Sequence, residues 1–249
     1  KMTFEEVILE EKDLPAIKEF ILSENIKKIA FDVETNSAIE KLATLWGISF
    51  CFSKEQSFYL PVRDKEANVL CSDYALKDFL SFLAKFELVM HNGIYDILVV
   101  KSNYGIDLTN SLYHDTIVSK HLFDEERPHG LKETAVKYLG SWADKAQKEL
   151  YDSIASNGGK TTKDNLEMYK ADTNVLAKYG CWDAFLTYNL YLIFEDKLAK
   201  DEESYKLYYS DEVMPLYKEV VIPMKERGFP IDVEHFKKLQ EEIEKEIKS

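Results

Sequence analysis

Hydrophobic positions in this chain follow two periods. Glu6 to Leu9, Ile26 to Glu34, Gly47 to Phe52 and Ser57 to Val62 are short runs rich in β-branched and aromatic residues, a pattern that predicts four strands. The last three are joined by short polar connections and fit an antiparallel meander. A helix from about Lys12 to Ser23 follows the first strand. After the meander the spacing changes: Tyr74, Leu76, Phe79, Leu80 and Leu83 recur at helical intervals behind Ser72, a residue type that caps helix starts. Leu88 to Met90 reads as a short buried strand, 94–103 as a helix stopped at Gly105, and 113–117 as a strand entering a helix. Two more helices are predicted, over 131–139 with Gly140 as its stop and over 176–198. A meander followed by alternating helices and strands predicts an α/β fold, a mixed β-sheet flanked by helices.

Two stretches depart from this alternation. Residues 151–172 have few apolar anchors and are expected to be mobile. The run Asn157-Gly158-Gly159-Lys160-Thr161 superficially looks like a phosphate loop, but Ile154 stands where the first glycine is needed and no strand precedes it, so it reads as a flexible loop. Near the C-terminus, Pro215 to Arg227 reads as a helix that Pro223 must kink or interrupt, and 228–232 as a turn. A helix from Asp232 follows, with Phe236, Leu239, Ile243 and Ile247 on one stripe and no partner for it in the sequence. The chain starts at Lys1 rather than Met and stops within a helical pattern, so it is expected to be a piece of a longer protein.

Composition narrows the class. Of 249 residues, 45% are apolar and 31% charged, as in an ordinary folded soluble protein. The formal net charge of −13 argues against a protein that coats nucleic acid by bulk positive charge, while leaving room for an enzyme that grips a short stretch through metal ions. Cys51, Cys71 and Cys181 form no CxxC, so neither a disulfide framework nor a cysteine zinc site is expected, and an intracellular, reducing compartment is. No apolar run could span a bilayer, and no membrane partner is expected.

The candidate chemistry is acidic. Asp32 and Glu34 lie two apart on a predicted strand and therefore share a face. Adjacent carboxylates repel unless a cation lies between them, and Mg²⁺ takes such oxygen ligands. Tyr179 and Asp183 lie four apart on the long predicted helix, again on one face. Asp96 comes early in another helix, after the polar turn His91-Asn92-Gly93. Three elements could thus bring Asp32, Glu34, Asp96 and Asp183 to one pocket. Asp115 reads as a cap or turn residue outside that set.

In order, Phe31-Asp32-Val33-Glu34-Thr35, Asn92-Gly93-Ile94-Tyr95-Asp96 and Tyr179-Gly180-Cys181-Trp182-Asp183 resemble the three motifs of the DEDDy 3′–5′ exonucleases, which have an RNase H-like (DnaQ-like) fold. Tyr59-Leu60-Pro61-Val62 and His129-Gly130-Leu131-Lys132 extend the resemblance to the proofreading exonuclease domain of family A (DNA polymerase I-like) DNA polymerases. Residues 215–232 look like the helix–turn–helix that leads into the polymerase domain. The resemblance implies an exonuclease domain over 1–205 and a helical extension over 206–249 that belongs to a polymerase parent chain. It implies two divalent ions, Mg²⁺ or Mn²⁺: Asp32, Glu34 and Asp183 hold one, and Asp32 bridges to a second that Asp96 supports through water. Tyr179 would orient the attacking water, and nucleotides would leave as 5′-monophosphates. Thr35, Asn92 and Tyr95 match positions that line the terminal nucleotide's site. Ala38 stands where a leucine wedge is common, so either Ile39 takes that role or the wedge is weak. The implied partners are a DNA 3′ end, preferably single-stranded, and the parent's polymerase domain. The competing readings are a catalytically silent module that guides DNA and an RNA-trimming enzyme of the RNase D type.

Overall fold

A computed structural model describes residues 3–162 and 165–248. Its main sheet contains β1 (Glu5–Ile8), β2 (Lys28–Thr35), β3 (Leu45–Cys51), β4 (Gln56–Pro61), β5 (Glu87–Met90) and β6 (Leu112–Asp115). The spatial order is β1-β4-β3-β2-β5-β6. The expected meander is present as antiparallel β2-β3-β4, with β1 parallel to β4 at one edge and β5 and β6 continuing parallel beside β2. Helices cover both faces, which is why every residue of β3 is buried.

The alternation along β2 decides what each face carries. Ile29, Phe31 and Val33 point into the larger core, with α2 (Asp73–Leu83) and α3 (Gly93–Tyr104) packed against them. Ala30 points the other way, to the long helix α7 (Thr173–Ala199), and Asp32 and Glu34 share its parity on the strand. α7 lies across β2, β3 and β4, and its buried positions there are small: Ala177, Gly180, Cys181 and Ala184. A Cβ on Gly180 would stand 2.5 Å from the Tyr59 ring. Gly180→Ala is therefore expected to cost about 1–3 kcal/mol through overpacking. Denaturant unfolding reads this directly, and an unchanged midpoint would contradict the close approach.

Most helices match their predicted ranges, among them α1 (Leu14–Ser23), α4 (Thr116–Phe123) and α5 (Leu131–Leu139). The Ser72 hydroxyl caps α2 by accepting from the Ala75 N–H at 3.3 Å, although Tyr74 of that stripe faces solvent. The stretch read as weakly anchored differs from expectation. It opens within α6 (Lys145–Ser156), whose Leu150 and Ile154 pack with Trp46, Tyr59 and Leu176. Two apolar residues four apart in a polar run are enough to dock one helix face, but too few to show a periodicity. The glycine-rich run folds back on α6, with the Gly159 N–H donating to the Ile154 carbonyl at 2.8 Å. Two short antiparallel strands, β7 (Thr161–Thr162) and β8 (Asn165–Leu166), precede α7.

After α7 the chain stays with the core of the sheet for a further stretch. Tyr208, Met214 and Ile222 join the large hydrophobic cluster. The segment runs through α8 (Glu202–Lys206), a π-helical turn (Leu207–Asp211) that carries Tyr208, α9 (Val213–Leu216) that carries Met214, a second π turn (Tyr217–Val221) and α10 (Ile222–Arg227) that carries Ile222. The interruption expected at Pro223 takes the form of the second π turn: proline has no N–H to give the carbonyl four residues back. Beyond Gly228, α11 (Val233–Lys248) buries no residue, and its stripe of Phe236, Leu239, Ile243 and Ile247 is exposed. All three cysteines are free and buried.

Two histidines are held as neutral rings, His114 buried and His91 half-buried. His114 lies between the Tyr209 and Ser119 hydroxyls, at 2.8 Å from each, and burial lowers its pKa from the usual 6.5 to about 3. His91 is lowered to about 4 by the same cause. A folded value below the unfolded one means that the neutral ring's contribution is complete above pH 6.5 and is lost as pH falls below it. The stability difference between the parent chain and His114→Gln should thus shrink by about 1.4 kcal/mol per pH unit below 6.5. Paired urea titrations at pH 7, 6 and 5 check this; a constant difference would contradict it.

Candidate active site

β2, β3 and α7 build the acidic centre together. In the β2–β3 ladder Asp32 lies opposite Ser49 and Glu34 opposite Gly47, and the register slips between Glu34 and Thr35. The slip leaves Trp46 as the extra residue on β3, so that Thr35 pairs with Leu45 at the strand's end. Gly47 leaves space that the Tyr59 ring fills, and on the other side Gly180 lets α7 descend onto the same ring. The descent brings Asp183 over β2. Asp32, Glu34 and Asp183 each offer a carboxylate oxygen, and these oxygens all lie within 4.8 Å of one another. Glu34 and Asp183 are buried and Asp32 is half-buried.

Asp96 is buried behind this trio. Its Oδ1 accepts the Val33 N–H at 2.9 Å, which ties the first turn of α3 to the middle of β2. Burial raises the pKa of Asp32, Glu34 and Asp96 alike, and the charge of Asp32 adds to the rise at both of the others. Burial likewise holds the Tyr179 hydroxyl far above its ordinary range, so it keeps its proton and remains a donor. Three acids that resist ionisation in the protein alone are a site that gains from a cation. The donor set fits a hard divalent ion: all oxygens, three of them converging, with Glu34 Oε1 buried and lacking a hydrogen-bond partner.

The residue that sequence reasoning did not assign is Lys132. It lies in the first turn of α5, is only 8% exposed, and forms an ion pair with Asp183 Oδ1. Its ammonium lies 4.2 Å from the centre of the Tyr179 ring, a cation–π contact. Burial lowers its pKa to about 7 against the opposing pull of Glu34 and Asp32. The only signal in the sequence was its place in His129-Gly130-Leu131-Lys132, because a lysine on a helix is ordinarily solvated. The segment is pinned from behind: His91 Nε2 lies 3.1 Å from the His129 carbonyl, and the buried Lys120 ammonium 3.0 Å from His129 Nδ1.

Beside Glu34 opens a cavity of 380 Å³ lined by Val33, Glu34, Thr35, Ser37, Ala38, Asn92, Tyr95, Leu166 and Met168. Thr35, Asn92 and Tyr95 therefore face one space next to the acids. The Thr35 and Tyr95 hydroxyls touch each other, and both reach the Ser37 carbonyl. Ile39 is 56% exposed and lies outside the lining. The apolar wall comes from Leu166 and Met168, at and just beyond the end of β8. Asp115, read as a cap, does accept the Ile117 N–H, at 3.0 Å, and it also accepts the N–H groups of Asn92 and Gly93.

A family model described as 3′–5′ exonuclease matches residues 6–199. DNA polymerase I of Borreliella burgdorferi is 29% identical over 221 residues, an alignment that covers 87% of this chain and 22% of the relative. The chain thus spans about a fifth of that relative's length. Among solved structures, the POL domain of Pol1 from M. smegmatis in complex with DNA primer-template and dNTP has a TM-score of 0.63 at 16% identity, covering 97% of this chain and 35% of that one. Brucella melitensis NrnC with bound Mg²⁺ has a TM-score of 0.55 at 15% identity, covering 86% and 93%. These two likenesses concern the fold. Among the described residues no helix is long and apolar enough to cross a membrane.

Proposed function

The chain belongs to the 3′–5′ exonuclease family, and from that premise we propose that it removes nucleotides from DNA 3′ ends with two divalent ions, as the proofreading part of a DNA polymerase I-like parent protein. The convergence of Asp32, Glu34 and Asp183 beside the cavity of Thr35, Asn92 and Tyr95 carries this reading. Asp32, Glu34 and Asp183 would hold one ion, and Asp32 with Asp96 would serve the second. When bound, such ions supply positive charge to the attacking and leaving oxygens of phosphodiester hydrolysis. Tyr179, held protonated, donates from its hydroxyl to orient the attacking water. Thr35, Asn92 and Tyr95 bind the terminal nucleotide, with Leu166 and Met168 as an apolar wall. The exonuclease domain spans 1–205, and 206–249 leads toward the parent's polymerase domain.

The acid set together with Tyr179 favours an active enzyme over a silent guiding module. Single-stranded ends are preferred, because fraying a paired end costs a few kcal/mol. With a net charge of −13, binding in isolation is weak and steeply salt-dependent. The test compares DNA and RNA of equal sequence, each single-stranded or paired at the 3′ end, in Mg²⁺. Faster shortening of single-stranded DNA supports the reading. Faster shortening of RNA would transfer it to an RNA-trimming enzyme.

A further inference from the structure

Asn92 lines the cavity in a left-handed conformation, φ 63° and ψ 43°, which asparagine adopts more readily than other non-glycine residues and which hydrogen bonds to its backbone can fix. The acceptor here is the carboxylate of Asp115. Its Oδ1 accepts the N–H of Asn92 at 3.0 Å and of Ile117 at 3.0 Å; its Oδ2 accepts the N–H of Gly93 at 2.8 Å and the hydroxyl of Tyr217 at 3.2 Å. Four donors fill the acceptor sites of one carboxylate, and Asp115 is fully buried. The backbone of Asp115 is held as well: its N–H donates to the Tyr208 hydroxyl at 3.0 Å, and that hydroxyl lies 2.9 Å from the Asp115 carbonyl.

Both tyrosines come from beyond residue 199, where the family match ends. Both also lie in π-helical turns, Tyr208 in Leu207–Asp211 and Tyr217 at the start of Tyr217–Val221. A π turn is rare and re-aims the side chains it carries. Here the two irregular turns of the C-terminal segment put their hydroxyls on one aspartate, and that aspartate fixes the turn carrying Asn92 and the start of α3, where Tyr95 follows. Packing alone would need neither hydroxyl.

We propose that Asp115, Tyr208 and Tyr217 form a positioning element for the terminal-nucleotide side of the site, so that the helical segment after α7 sets how firmly the exonuclease holds a 3′ end. The inference rests on the cavity beside Glu34 being the nucleotide site. It assigns these residues an effect on substrate grip, transmitted through Asn92 and Tyr95, and no contact with the reacting atoms. Movement of the C-terminal segment would then weaken the grip without disturbing Asp32, Glu34 or Asp183.

The experiment uses the whole 249-residue chain with Tyr217→Phe, Tyr208→Phe and Asp115→Asn. Three quantities are read in Mg²⁺: KM and kcat on 5′-labelled single-stranded DNA, and inhibition by deoxythymidine monophosphate, the product-like probe. Tyr217→Phe removes one hydrogen bond and should raise KM and weaken monophosphate inhibition about fivefold, with kcat within about twofold of the parent. Asp115→Asn turns two of four acceptor sites into donors facing donors, and its effect should be larger still, in the same direction. If Asp115→Asn does not fold, the two phenylalanine variants decide. A lower melting temperature with KM and inhibition unchanged would overturn the proposal, because the contacts would then be packing only. A fall in kcat with KM unchanged would overturn it too, placing the effect on the acids. Should the parent chain itself not shorten DNA, the functional reading fails instead, and monophosphate binding by calorimetry still compares parent and variants.

Discussion

Asp32→Ala is expected to slow 3′-terminal hydrolysis by at least about a thousandfold, equivalent to about 4 kcal/mol of transition-state stabilisation. Asp32 lies between its neighbours: it belongs to the trio of converging oxygens with Glu34 and Asp183, and its charge raises the pKa of Asp96 on the other side. No other acid of the set reaches both groups. Its removal would take away the carboxylate common to both proposed ion positions and leave the fold largely untouched, since it is only half-buried. Single-turnover rates on excess enzyme separate this from weaker DNA binding. A loss smaller than about tenfold, with the variant folded, would place the chemistry elsewhere.

Lys132→Met should destabilise the metal-free protein by about 3–5 kcal/mol, the usual result of removing one partner from a buried ion pair. Lys132 is the cation nearest the trio, paired with Asp183 and attracted by Glu34 and Asp32. Without it, the trio is a buried negative cluster relieved only by protonation, and because the Lys132 ammonium holds its charge only below about pH 7, the effect should be larger at pH 6.5 than at pH 8. Divalent ions offer the same relief: Mg²⁺ should narrow the stability gap between Lys132→Met and the parent. Thermal melts in EDTA and in Mg²⁺ at pH 6.5 and pH 8 check both parts. An equal loss in the two buffers would show that Lys132 serves packing rather than charge balance.

Local patterns made the sheet and the acids legible. A strand brings residues two apart to one face and a helix residues four apart, so Asp32 with Glu34 and Tyr179 with Asp183 could be paired before any fold was known. Long-range approach was not legible. Lys132 is buried because α5 leans on Tyr179, and nothing within α5 marks it. Asp115 looked like a cap and is one, but its other donors come from Asn92, Gly93 and Tyr217, up to 102 residues away. α6 went unrecognised because Leu150 and Ile154 are its only large apolar side chains that are fully buried. Ile39 was one candidate for a wedge by its place after the first motif, whereas Leu166 and Met168 supply the cavity's apolar wall.

The most direct test is a denaturing-gel time course on single-stranded DNA labelled at its 5′ end, run in Mg²⁺, in Mn²⁺ and in EDTA. Stepwise shortening from the 3′ end in both metal lanes, with an intact strand in EDTA, is the result expected of an acid-held, metal-dependent 3′–5′ exonuclease. Immediate release of the labelled terminal nucleotide, or equal shortening in EDTA, would contradict it.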